Sequence, residues 1–158
     1  MSNMKFSTQV WGPFVQDRAS GLKSFKTSRL AIRDITLDDM SVQAPTPIPY
    51  MEGVPEYHRE VYLALLSCIL DGLEHDPNIS FGKMWAQKGL GANRNLKQLL
   101  CMEDKYGFLI NLKRRIQEHS KNSVTACNLD WLCNNIISRF DFNNTIVREQ
   151  WLVDLTQI

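Results

Sequence analysis

The sequence predicts a mainly α protein, an antiparallel bundle of about five to six helices preceded by an N-terminal arm that is extended or carries short strands. Three observations carry that prediction. Between Val61 and Leu70 only Ser67 is polar, so a helix through this stretch is apolar on nearly every side and has to be enclosed by others. Farther on, apolar residues recur at intervals of three and four, most regularly as Leu129, Leu132, Cys133, Ile136, Ile137 and Phe140, the spacing of a helix with one buried face. Pro45, Pro47 and Pro49 alternate with Thr46 and Ile48, a run that forbids helix and favours an extended strap. The chain divides accordingly into an arm over 1–43, a strap over 44–54 and a helical domain over 55–158. At 158 residues it is long enough to bury one core without staples.

In the arm, Trp11-Gly12-Pro13 reads as a turn flanked by Phe6, Val10, Phe14 and Val15. Leu30, Ile32 and Ile35 suit a short strand, and Thr36-Leu37-Asp38-Asp39 suits the cap of a short helix. The central helix follows the strap, with Pro55 at its first position and Glu56 and Glu60 facing the positive end of its dipole. Pro77 blocks its continuation past Asp76. Its apolar run falls short of the roughly 20 residues that span a bilayer.

Downstream, Ser80 is placed to cap a helix with Phe81, Met84 and Trp85 on one face, stopped near Gly89 and Gly91. Asn93 starts the next, with Leu96, Leu99 and Leu100 inward, and Asp104 a longer one through Phe108, Leu109, Leu112 and Ile116. The polar run from Ser120 to Ser123 ends it. Asn128 opens the regular amphipathic segment, Asp141-Phe142-Asn143-Asn144 turns the chain, and the last helix aligns Val147, Trp151, Leu155 and Ile158.

An apolar fraction of 44% with 22% charged residues belongs to a folded globular chain rather than a disordered one. Met-Ser-Asn-Met-Lys-Phe-Ser lacks the apolar block of a secretory signal, so an intracellular, cytoplasmic setting is expected, with Cys68, Cys101, Cys127 and Cys133 reduced. The net charge of +1 conceals a segregation: residues 41–80 carry one basic and six acidic groups, residues 81–121 nine basic and three acidic. Such asymmetry points to an anionic partner for one surface or to contact between copies.

Lys113-Arg114-Arg115 occupies three consecutive helical positions that fan over about 200° of the helix, so the three cannot all face a core. With Lys97 and Lys105 they form a candidate surface for nucleic acid or anionic lipid, since basic side chains release counterions from phosphates and aromatics such as Trp85 and Tyr106 can stack on unpaired bases. The competing reading is a solvated face that balances the acidic quarter. Trp11 and Phe14 in the arm, with Pro47 and Tyr50 in the strap, are candidate protein contacts, because a polyproline segment is already extended when it meets an aromatic groove. The plain alternatives are satellite core for the first pair and a linker for the second.

His119, Cys127 and Cys133 lack the close pairing of a zinc site, so no metal and no cofactor is expected. There is no Gly-x-Ser-x-Gly elbow, phosphate loop or His-Glu-x-x-His. Asp38-Asp39 and Glu103-Asp104 read as dipole partners at helix starts. The expected function is therefore not enzymatic: an adaptor, scaffold or inhibitor that engages another protein through its arm and helical faces. The alternative is an RNA- or anionic-membrane-binding assembly protein working through 83–121, resembling in its logic a small viral matrix or nucleocapsid-associated protein, with the arm linking copies into a homo-oligomer.

Overall fold

The computed structural model describes residues 5–20, 56–121 and 123–156. Within them the chain is mainly helical, with one small parallel sheet. A π-helical turn, Ser7–Trp11, runs directly into α1, Gly12–Ser20. After the strap come α2 (Glu56–Leu70), β1 (Leu73–His75), α3 (Phe81–Gln87), α4 (Arg94–Leu100), α5 (Lys105–His119), β2 (Thr125–Cys127), α6 (Leu129–Asp141) and α7 (Ile146–Thr156).

The central helix is buried as its composition demands: every residue from Val61 to Ile69, Ser67 included, is at most 7% exposed. It packs against α5, α6 and β1. The chain leaves it through Gly72, at φ +116, where a Cβ would stand 2.8 Å from the Cβ of Ser120, so both the backbone angle and the space exclude a side chain. The four caps predicted downstream of the central helix are formed. Ser80 accepts from the Lys83 N–H, Asn93 from Leu96, Asp104 from Gly107 and Asn128 from Trp131, each satisfying a donor that the helix leaves open.

Around α3, α5, α6 and α7 the core is aromatic. Phe81 meets Trp151 edge-on at 5.1 Å between ring centroids, Phe108 stacks on Trp151 at 5.4 Å, and Phe140 lies 5.4 Å from Phe108. The closest helix pairing joins α3 to α7. Gly82 makes it possible: a Cβ there would meet the carbonyl of Trp151 and stand 2.7 Å from the Asp154 Cβ and 3.0 Å from the Leu155 N.

Two expectations are corrected. Residues 6–20 are helical, not extended or stranded, and Trp11-Gly12-Pro13 does not turn the chain. The π-turn widens the helix immediately before Pro13, relieving the clash between a proline ring and the carbonyl four residues back, so the helix passes through. Its apolar edge, Phe6, Val10 and Phe14, is at most 1% exposed and belongs to the same core as α2 to α7. The second correction concerns 73–75 and 125–127, which pair as parallel strands in the register Leu73↔Thr125, Glu74↔Ala126 and His75↔Cys127 where an all-helical course was expected. Predictions for Leu30 to Asp39, for the strap and for Ile158 lie outside the described residues.

Candidate functional site

The five predicted phosphate or lipid contacts divide by environment. Lys105 bridges helices: its ammonium lies 3.3 Å from Glu60 of α2 and 3.0 Å from Asp141 of α6, and Tyr106 donates to the same Glu60 at 3.0 Å. Burial works to lower the Lys105 pKa, but the hydrogen bonds and charges of Asp141 and Glu60 more than offset it, and the net shift is upward. Lys113 pairs with Asp71 just beyond α2, and Gln117 donates to the other oxygen of that carboxylate at 3.3 Å. Arg115 pairs with Glu118 one turn along α5, at 2.9 Å. Lys97 and Arg114 are exposed, with no partner among the described residues.

Of the predicted protein contacts, Phe14 is fully buried, so its ring is not offered to a partner. Trp11 is partly buried against the core, its ring 5.3 Å from His75, and its indole N–H has no hydrogen-bond partner. Pro47 and Tyr50 lie outside the described residues. The N-terminal helix is fastened by Ser7, whose backbone N–H and hydroxyl both donate to the Asp130 carboxylate, at 2.7 and 2.6 Å. His75 and Asn128 set the start of α6 at the same place: the imidazole Nδ1 accepts from the Leu129 N–H at 3.0 Å and the Asn128 amide donates to the Pro77 carbonyl at 3.2 Å.

Beside this junction lies a cleft of about 290 Å³ bounded by Phe6, Tyr62, Pro77, Asp130, Trp131 and Cys133. Trp131 stands at its edge with 55% of its surface in solvent. Phe142, the residue just past the end of α6, is 67% exposed. Ile146 and Val153, 68% and 48% exposed, lie two turns apart on α7, which packs against α6. None of these was singled out from sequence. Trp131 falls outside the apolar stripe of its helix, and that misfit was the available signal.

A second cleft, of about 310 Å³, opens where α6 turns into α7 and is lined by Arg139, Phe140, Arg148, Glu103 and the turn Asn143 to Thr145. Asn143 takes φ +54 there, a left-handed angle that asparagine tolerates better than most residues. Asn144 ties the turn down, donating to Ser138 at 3.0 Å and accepting from the Ile146 N–H at 3.2 Å. Arg139 is 8% exposed. Its guanidinium packs over the rings of Phe140, Trp151 and Phe108 at 4.7, 5.3 and 5.7 Å, and Nη2 donates to the Met102 carbonyl. Burial lowers its pKa, and repulsion from Arg148 lowers it further against the opposing pull of Cys101 and Glu103.

Among the described residues no three His, Cys, Asp or Glu side chains gather as a metal site, and no helix is long and apolar enough to cross a membrane. No family model matches the chain, and no curated protein or solved structure is similar to it.

Proposed function

We propose that this protein acts by binding rather than by chemistry, as an adaptor, scaffold or inhibitor that engages another protein through the outer side of α6 on an antiparallel helical bundle. The carrying observation is Trp131, more than half exposed at the lip of a cleft with aromatic and proline walls. Tryptophan leaves a large apolar area in water, and tryptophans beside a pocket dominate the energetics of protein interfaces. The cleft offers a seat for one partner side chain, Trp131 an anchor beside it, and Asp130 and Asn134 a polar rim. The antiparallel arrangement is favoured by the short connections 88–93, 101–104 and 142–145 between successive helices.

The test compares the full chain and its Trp131→Ala variant as baits, then measures affinity for each captured protein after purification. Loss of a central tryptophan is expected to weaken binding about thirtyfold, from a hot-spot contribution of about 2 kcal/mol. A Lys97→Ala control is expected to bind like the wild type. Equal affinities for wild type and Trp131→Ala would overturn the reading.

A further inference from the structure

The cleft between α6 and α7 contains a charge arrangement that the fold does not balance. Arg139 and Arg148 line it together, close enough for Arg148 to disfavour the charge on Arg139, and among the described residues neither forms an ion pair. Glu103 is the acid on the cleft wall, and it is exposed. Nη1 of Arg139 is shut off from solvent with no hydrogen-bond partner, on a side chain more than nine-tenths buried. A buried cation without an ion-pair partner is costly, and stacking on three rings with the weak pull of exposed Glu103 offsets only part of that cost. Thr145 and Arg148 bring the start of α7, eleven residues long, to the cleft, where the helix dipole favours negative charge although Asn144 already accepts from the Ile146 N–H and Glu149 lies in the first turn. Asn143 and Thr145 carry further donors on exposed side chains for which no partner is found among the described residues.

We propose that this cleft is a binding site for a phosphoryl group, a phosphate monoester or free phosphate, gripped by Arg148, with Asn143 and Thr145 completing the contacts and Arg139 supplying a second positive charge in the wall. Two guanidinium groups match a dianion better than a single carboxylate, and the planar fork of arginine fits the oxygens of a tetrahedral oxyanion in pairs. A dianion held beside Arg148 offsets the repulsion that Arg148 exerts on Arg139. Phe140 lines the same space and gives an apolar wall to the group that carries the phosphate. This site is separate from the Trp131 cleft and stands whether or not that cleft binds a protein.

Calorimetric titration of the full chain with inorganic phosphate, O-phosphoserine and acetate, at matched ionic strength, tests the proposal. Phosphate stabilises many proteins without a site, so the decisive quantity is the difference between variants. Arg148 is half-buried at the cleft and outside the aromatic core, so Arg148→Gln is expected to fold, as its circular dichroism would show. Saturable binding of phosphate or phosphoserine is expected in the wild type and in Lys97→Ala, weakened about tenfold or more in Arg148→Gln, the loss of one charge-assisted pair. Tighter binding of phosphoserine would place the group on an organic carrier, and tighter binding of inorganic phosphate would make the free ion the ligand. The proposal is overturned if neither phosphate compound saturates the wild type, if Arg148→Gln binds them as well, or if acetate binds as tightly.

Discussion

Gly82→Ala is the substitution on which the packing argument can be tried most directly, because two opposite effects compete at one position. In an exposed helix interior, alanine in place of glycine stabilises by roughly 0.5–1 kcal/mol through helix propensity. At Gly82 the added methyl meets the Trp151 carbonyl, the Asp154 Cβ at 2.7 Å and the Leu155 N at 3.0 Å. These are atoms of α7 itself or fixed rigidly to it, so no side-chain rotation clears the space. Ordinary carbon contacts at about 3.5–4.0 Å then require α3 and α7 to separate by on the order of 1 Å. That movement opens the aromatic cluster in which Phe81 packs on Trp151.

Overpacking of a tight core costs about 1–3 kcal/mol, and an encounter with backbone belongs at the upper end. After the propensity gain the expected net loss is about 2 kcal/mol. For a chain of this size that corresponds to a fall in Tm of about 4–8 °C. Urea and thermal unfolding followed by circular dichroism would measure both quantities, with Lys83→Ala, exposed on the next residue, expected within about 0.5 kcal/mol of wild type. A Gly82→Ala protein as stable as wild type, or more stable, would refute the close approach of α3 to α7.

Three further predictions concern groups that the fold uses internally or leaves at its surface. Lys113→Ala should cost about 1–2 kcal/mol in urea unfolding because it strips the half-buried Asp71 of its cation, whereas Arg114→Ala should stay within about 0.5 kcal/mol, so similar losses at both positions would show that the Asp71 pair contributes nothing. Among the four thiols, exposed Cys101 should react with a disulfide reagent at neutral pH in the native protein, and Cys68, Cys127 and Cys133 only after unfolding. Burial pushes the Cys68 thiol up from its ordinary 9.0 to about 12 and raises Cys127 and Cys133 further. The native state therefore holds these protons after the unfolded chain has begun to release them. Stability is full below about pH 9 and falls above it, by on the order of a few kcal/mol at pH 10 for the three thiols together. An unchanged urea midpoint between pH 8 and pH 10 would contradict that burial.

How far the sequence disclosed this structure depended on how far apart the interacting residues lie. The caps at Ser80, Asn93, Asp104 and Asn128 join a side chain to a backbone N–H three residues away, and each was readable. Phe6, Val10 and Phe14 keep a spacing of four that is itself helical, but Trp11-Gly12-Pro13 outweighed it, since nothing local announces a π-turn that lets proline into a helix. β1 and β2 are three residues each, too short for a periodic pattern to show, and each gains its hydrogen bonds from a partner about fifty residues away. Gly82 and Arg139 share that limitation, because what surrounds them comes from another helix.

The charge pattern shows the same dependence most sharply. An acidic segment followed by a basic one suggested a surface waiting for an anionic partner. In the fold, Glu60 and Asp71 of the acidic segment are the partners of Lys105 and Lys113 of the basic one, because α2 packs along α5 and brings the two runs face to face. For these residues, segregation along the chain is neutralisation in space. Two cations that share a cleft without an ion pair, Arg139 and Arg148, lie instead in a C-terminal stretch whose formal charge is negative. A charge count along the sequence passes over that site, and the arrangement of α6 against α7 creates it.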